Sequence, residues 1–147
     1  MGTLLDTTVF IELERAVRRL PPQWAMGEVN ARLEEQLGSA EEVGIAVITA
    51  SELLHGVHRA TPEHRTRREV FVEAVLAAFP PIPFDLLTAR AHARLWAELA
   101  AAGIDTGAHD RLVAATAITA GWRVGTANVR HFEKIPGLAL IAITPAS

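Results

Sequence analysis

The chain has 147 residues, 50% of them hydrophobic, and a formal net charge of −3 at pH 7. This length suits one domain with a sizeable core. The lack of cysteine excludes disulfides and thiolate metal sites, and the negative charge argues against a uniformly basic coat for nucleic acid. Because no apolar run approaches the length that crosses a bilayer, we expect a soluble, cytoplasmic protein without a membrane segment.

The first elements predicted along the chain are a short buried strand at residues 3–6 and a helix that ends before two successive prolines. A second, charged helix with a narrow apolar stripe is predicted over residues 28–38. Between these helices, Trp24 and Met26 either pack locally or line a hydrophobic groove for a partner.

The next segment, "VGIAVITA" from Val43 to Ala50, is a continuous β-branched run that predicts a strand covered on both faces. The remaining predicted elements are helices at about 51–59 and 62–79, a strand at 82–84, helices that begin near Asp85 and His109 and end near Gly103 and Gly121, and strands at 122–127 and 138–143. This alternation indicates an α/β fold with a central, mostly parallel sheet of about five short strands and helices on both faces.

Polar side chains follow the ends of several predicted strands. Asp6 ends the first strand, and Glu52 follows the second by two residues. Thr126 and Asn128 end the fourth strand, and Asp110 lies in the first turn of the helix before it. Ligands of open parallel sheets bind beyond the carboxyl ends of the strands, so these side chains are predicted to face one crevice.

Each of these positions also has a purely structural interpretation. Asp6 fits a helix N-cap, and Thr49 with Glu52 fits a T-x-x-E capping box. Asp110 fits the positive end of a helix dipole, and Asn128 fits a turn. A carboxylate cluster without adjacent lysine, however, repels itself unless a cation compensates, and carboxylate and amide oxygens suit Mg²⁺ or Mn²⁺.

Three motifs resemble those of the PIN-domain nucleases, specifically the VapC-type toxins of bacterial toxin–antitoxin pairs. They occur in order over nearly the whole chain and read "LLDTTVF", "TASELLHGV" and "HDRLVAATAITAGWRVGTANVRHFEKIPGL". The last stretch is the most specific, because it combines D-x-x-[LIV]-A-A-x-A, a glycine and T-x-N-x-x-x-F before "IPGL". The resemblance implies a single PIN domain over residues 1–147 with three layers, α/β/α.

The resemblance also implies which residues carry the chemistry. The catalytic, metal-binding acids of the family fall on Asp6, Glu52 and Asp110, with Asn128 at the fourth position and Thr126 supporting it. They imply an endoribonuclease that uses Mg²⁺ or Mn²⁺ to activate water for hydrolysis of RNA phosphodiester bonds, which would inhibit translation and growth. Nearby, Asp105 is either an additional outer metal ligand or a loop residue, and we favour the loop. His109, Arg111 and Arg130 are predicted RNA contacts.

Partners follow from the same resemblance. It implies a cognate VapB-type antitoxin that clasps the region of Trp24 and Met26 and blocks the acids with a basic side chain. It also implies a homodimer, formed through the helices that follow Glu52 and Asp85, and contact with DNA only through the antitoxin. The alternative function is a catalytically weak binding subunit that acts mainly as a co-repressor with its antitoxin. A haloacid-dehalogenase-type phosphatase is disfavoured, because it requires a second Asp where this chain has Thr8.

Overall fold

The computed structural model describes residues 2–144, in which strands and helices alternate. In chain order the elements are β1 (Gly2–Leu5), α1 (Thr7–Val17), α2 (Pro22–Leu37), β2 (Glu42–Ala46), α3 (Val47–Arg59), α4 (Pro62–Ala78), β3 (Pro81–Ile82), α5 (Leu86–Ala101), α6 (Ala108–Ala120), β4 (Arg123–Thr126), a 3-10 helix (Val129–His131) and β5 (Leu140–Ala142). None of the helices within this range is both long and apolar enough to span a bilayer.

The five strands form one sheet in the order β3-β2-β1-β4-β5, and every pair is parallel. This confirms the predicted parallel sheet of short strands. The central strand β1 is buried along its whole length. The chain winds outward from β1 to β2 and β3 on one side and to β4 and β5 on the other. The switch in winding direction lies between β1 and β4, where open α/β sheets form their ligand crevice.

Two apolar clusters cover the two faces of the sheet, because successive residues of a strand point to opposite sides. Leu5 packs with Phe10, Val75 and other residues of α1 to α4. Its neighbour Leu4 packs on the opposite face, in a cluster with Leu99 and further residues of α5 and α6. The fold therefore has the three layers that the sequence predicts.

The prediction of a strand from Val43 to Ala50 is wrong at its carboxyl end. The strand β2 stops at Ala46, and α3 begins at the next residue without a loop. Thr49 and Ala50 are buried inside the first turns of this helix, so burial overrides the β preference of the run. The capping-box interpretation is also wrong, because Thr49 lies within the helix rather than at its N-cap. Glu52 is consequently held in the second turn of α3.

The segment around Trp24 and Met26 is helical and does not connect two helices. Pro22 occupies the first turn of α2, a position that suits proline because the first amides of a helix have no internal partner. Trp24 is 64% exposed, whereas Met26 packs partly against the apolar cluster of α1 and α4.

Local signals at two other helix ends are confirmed. Asp85 caps α5 by accepting a hydrogen bond from the amide of Thr88 at 3.0 Å. Gly121 ends α6 in the left-handed region, with φ of 72°, which glycine adopts without the steric penalty of a Cβ atom.

Candidate active site

The crevice beyond β1 and β4 is organised around Asp6, the residue that follows β1. The Asp6 amide donates to the carbonyl of Gly125 at 3.0 Å, which joins the ends of the two strands. Its side chain is 5% exposed and accepts hydrogen bonds from the hydroxyls of Thr8 at 2.6 Å and Thr126 at 2.8 Å. Burial raises the pKa of this carboxyl, and the two hydroxyls and the Val9 amide oppose that rise.

The Asp6 side chain is therefore not used as a simple helix cap for α1. It occupies the N-cap position, but its side chain makes no cap hydrogen bond, although the Val9 amide lies near enough to influence its pKa. Both carboxylate oxygens are instead held by hydroxyls from two different elements. Thr126 links Asp6 to Asn128, because its hydroxyl also accepts a hydrogen bond from the backbone N–H of Asn128 at 3.0 Å.

Glu52 reaches the same crevice from α3. One of its carboxylate oxygens accepts a hydrogen bond from the Thr7 hydroxyl at 2.7 Å. The other lies 3.2 Å from Nδ1 of His109, the predicted residue at the rim of the crevice. The first turns of α1 and α6 thus fix the direction of the Glu52 carboxylate.

Asp110 completes the group of acids from the first turn of α6. Burial raises the pKa of the Asp110 carboxyl. The nearby His131 and His109 lower this pKa, and the negative charges of Asp6 and Glu52 raise it. The three acids are therefore close enough to repel one another, as the sequence predicts from their placement.

This raised pKa predicts how Asp110→Asn changes stability in the metal-free protein. A carboxyl whose pKa is raised by folding contributes stability at low pH, and that contribution is lost as the pH rises through the folded-state pKa. The variant is therefore expected to melt at a higher temperature than the wild type at neutral pH. This increase in melting temperature should vanish below pH 3.8, which is the ordinary pKa of an Asp side chain. Thermal unfolding in the presence of a chelator measures the melting temperature at both pH values.

Asp105→Asn is the control, because Asp105 is exposed. A lower melting temperature for Asp110→Asn than for the wild type at neutral pH would contradict the prediction.

The fourth position, Asn128, has a neighbour that the sequence analysis missed. The side-chain nitrogen of Asn128 lies 2.9 Å from Nε2 of His131, in the 3-10 helix after β4. On its other side, Nδ1 of His131 lies 4.0 Å from Asp110. The spacing of three residues between Asn128 and His131 is the sequence signal that would have indicated this pair.

The acids suit a divalent cation, although the side chains are held by other partners. Within residues 2–144, no three Asp, Glu or His side chains are arranged to hold one metal ion as they stand. In the same range, no Lys or Arg forms an ion pair with Asp6, Glu52 or Asp110. A cation would relieve the repulsion among these clustered carboxylates, and oxygen donors are the ligands that Mg²⁺ and Mn²⁺ prefer. The donor set therefore fits such an ion.

The remaining predicted residues lie at the edge of the crevice or outside it. Arg111 donates to the Thr106 carbonyl at 2.6 Å, and its guanidinium lies over the ring of Trp96, 5.1 Å from the centroid. These contacts direct Arg111 toward α5 and away from the acids. Arg130 and Asp105 are exposed. RNA contacts by Arg111, Arg130 and His109, and the choice between ligand and loop for Asp105, stay predictions.

A groove leads from Glu52 along α1. Its inner part encloses about 460 Å³ beside Glu52 and His109, and it is lined by Arg15, Arg18 and Arg59. Its outer part encloses about 270 Å³. The lining of this outer part is largely apolar and comes from α1, α2, α4 and the turn between α1 and α2: Val17, Leu20, Ala25, Met26, Val70 and Phe71. Arg18 and Phe71 line both parts, so the two parts adjoin each other.

The arrangement of acids at the end of a parallel sheet agrees with comparisons to known proteins. A family model described as the PIN domain matches residues 3–138. Ribonuclease VapC1 of Rickettsia felis is 34% identical over 145 residues, which are 98% of each chain. This chain belongs to the VapC family of PIN-domain proteins. Another VapC relative, the tRNA(fMet)-specific endonuclease of Salmonella typhimurium, is 33% identical over 97 residues, which cover 65% of this chain and 71% of that one.

Solved structures extend the comparison. The DNA-bound VapBC of Salmonella typhimurium contains a chain that matches this VapC-family protein with a TM-score of 0.78 and 25% sequence identity. The match covers 98% of this chain and 99% of the other. This chain therefore shares its overall fold with the matched chain.

Proposed function

We propose that this VapC-family protein is a Mg²⁺- or Mn²⁺-dependent endoribonuclease, the toxin of a VapBC pair that acts in the cytoplasm. Residues 1–147 act as one PIN domain. The observation that carries the proposal is the convergence of Asp6, Glu52 and Asp110 without a Lys or Arg partner in the described part of the chain. Relatives named as VapC ribonucleases support RNA as the substrate.

Each side chain of the site has a distinct task in this proposal. Asp6, Glu52 and Asp110 would hold the cation, and the Asn128 amide oxygen would be a further oxygen ligand. A bound divalent cation lowers the pKa of water and neutralises charge on phosphoryl oxygens. Thr8 and Thr126 keep the Asp6 carboxylate in one orientation, so it does not have to reorganise when RNA binds. His109 fixes Glu52 at the rim, where the substrate enters.

The proposal is tested by cleavage of RNA with the purified protein. Mg²⁺ or Mn²⁺ should support cleavage that leaves 5′-phosphate ends, and excess chelator should abolish it, because the acids alone cannot activate water. Initiator tRNA is the first substrate to test, since one relative is named a tRNA(fMet)-specific endonuclease. Sequencing of 5′-phosphate ends after induction in cells then identifies other substrates. Cleavage that persists at full rate in chelator would reject the metal, and no cleavage with either ion would favour the co-repressor alternative.

We propose that the cognate VapB-type antitoxin occupies the groove along α1. The apolar outer part suits an apolar segment of the antitoxin, and the inner part leads to Glu52, where a basic side chain would neutralise the acids. Structures of related VapBC complexes support a partner of this kind. Contact with operator DNA would then be made by the antitoxin.

We also propose a homodimer that uses the exposed apolar side chains at the start of α5. Leu86 and Leu87, which are adjacent at the start of this helix, are 67% and 65% exposed. Such neighbouring apolar residues are typical of a protein interface. The helix α3 is also predicted to take part in the dimer interface, and its first residue, Val47, is 45% exposed.

Leu87→Glu is expected to shift the protein from dimer to monomer, because it would place two like charges near one another in the interface. Sedimentation velocity at micromolar concentration measures the change. Ile118→Glu is the control, since Ile118 is an exposed residue of α6 that the proposed interface does not include. A wild-type monomer, or a dimer that tolerates Leu87→Glu, would reject this interface.

A further inference from the structure

We propose that His131 is a positioning residue that holds the Asn128 side chain with its amide oxygen toward the acids. This inference rests on the proposed metal-dependent function, and it concerns a residue at a variable position of the T-x-N-x-x-x-F motif. Its starting point is the contact of 2.9 Å between Nδ2 of Asn128 and Nε2 of His131.

The direction of this hydrogen bond follows from the atoms involved. An amide nitrogen can only donate, so Nε2 of His131 must accept. The neutral imidazole therefore carries its proton on Nδ1. That N–H lies on the side of Asp110, and Nδ1 is 4.0 Å from the Asp110 carboxylate. His131 thus lies between the amide of Asn128 and the carboxylate of Asp110.

The backbone holds both residues in place for this contact. The Asn128 amide N–H donates to the Thr126 hydroxyl at 3.0 Å, and the His131 N–H donates to the Asn128 carbonyl at 3.2 Å. The turn of the 3-10 helix therefore brings the imidazole over the Asn128 side chain. Because Thr126 also holds Asp6, the whole arrangement is tied to the carboxylate at the centre of the crevice.

The contact matters because an amide has two chemically different ends. A cation binds the oxygen and is repelled by the N–H groups. In the absence of a cation, nearby carboxylates such as Asp110 attract the amide nitrogen, which would turn the wrong end toward the site. His131 takes up that nitrogen and leaves the oxygen for the cation. A residue without a charge at the fourth position thereby becomes a usable metal ligand.

A purely structural role for the His131 ring has little support. The side chain is 47% exposed and belongs to neither apolar cluster of the described residues. Its neighbour Phe132, in contrast, is buried in the cluster beneath α5 and α6. Substitution of His131 is therefore expected to leave the melting temperature nearly unchanged, so effects on metal binding can be measured in folded protein.

Binding of Mn²⁺ to the purified full chain, followed by electron paramagnetic resonance, tests the inference. His131→Ala is expected to weaken Mn²⁺ binding about 10-fold, as do other substitutions of groups that orient a metal ligand. His131→Gln should restore most of the affinity, because its terminal amide oxygen reaches the place of Nε2 and can accept the same hydrogen bond. His58→Ala is the matched control, since His58 is exposed on α3.

Two further measurements separate positioning from other roles. Asn128→Ala should lose as much Mn²⁺ affinity as His131→Ala. The double variant that carries both changes should lose no more than either single variant, because the two residues act as one unit. Nitrogen spectra of the imidazole should detect the Nδ1-protonated tautomer in the wild type and its loss in Asn128→Ala. Wild-type affinity in His131→Ala, additive losses, or a ring protonated on Nε2 would overturn the inference. If Asp6→Asn and Asp110→Asn also retain Mn²⁺, the proposed metal site itself fails.

Discussion

Replacement of Asp6 by Asn is expected to reduce RNA cleavage at least about 100-fold, since even groups that only orient a metal ligand contribute about 10- to 100-fold. The substitution changes little in size but removes the charge that a cation requires. The fold should persist, because a neutral amide is easier to bury at a position that is 5% exposed. Thr126 can then accept a hydrogen bond from the new amide where it donates to the carboxylate in the wild type.

Single-turnover cleavage of labelled RNA with Mg²⁺ measures this loss, and thermal unfolding checks the fold. Asp105→Asn is the matched control, because it makes the same chemical change at an exposed loop position. It should cleave RNA like the wild type. Comparable cleavage by Asp6→Asn would refute the proposed site, and an equal loss in Asp105→Asn would make Asp105 a ligand.

Val70→Asp should weaken binding of the antitoxin by about 100-fold, equivalent to about 2.7 kcal/mol. Val70 lines the apolar part of the groove, where a carboxylate would be desolvated by the bound partner. The free protein should tolerate the change, because Val70 is 48% exposed. RNA cleavage should be unchanged, since Val70 lines only the outer part of the groove and not the part beside Glu52.

Isothermal titration with the purified antitoxin measures the affinity, and growth during co-expression shows whether the toxin is still neutralised. Ile118→Asp introduces the same charge at an exposed apolar position on α6, which does not line the groove. This control should bind the antitoxin normally. Unchanged affinity in Val70→Asp would exclude the groove as the docking site, and a simultaneous loss of RNA cleavage would show that the two surfaces are not separate.

The sequence predicts helix ends well where the determining contact is local. The cap at Asp85 involves an amide three residues away, and the left-handed turn at Gly121 depends on that residue alone. The end of β2 could not be predicted in this way, because Val47 and Thr49 have strand preferences. Only packing of α3 against α1, α4 and the sheet determines that Thr49 becomes helical and buried.

The grouping of the acids was predictable, because strand ends in a parallel sheet meet at one edge and the motifs mark the same residues. The contacts around the acids could not be predicted from which residues are adjacent to them in the sequence. Arg111 follows Asp110 directly, yet successive residues of a helix point about 100° apart, and Arg111 faces α5. His131 was missed because its position depends on a short 3-10 turn that ordinary helix and strand periodicity does not reveal.

The hydrogen bond between Thr126 and Asp6 joins residues 120 positions apart in the chain. This contact cannot form until the chain has been synthesised at least to Thr126 and β4 has paired with β1. Partly synthesised or partly folded chains therefore lack the oriented carboxylate, and they should be inert toward the RNA of the ribosome that produces them. Catalytic competence would therefore wait for the synthesis and pairing of β4.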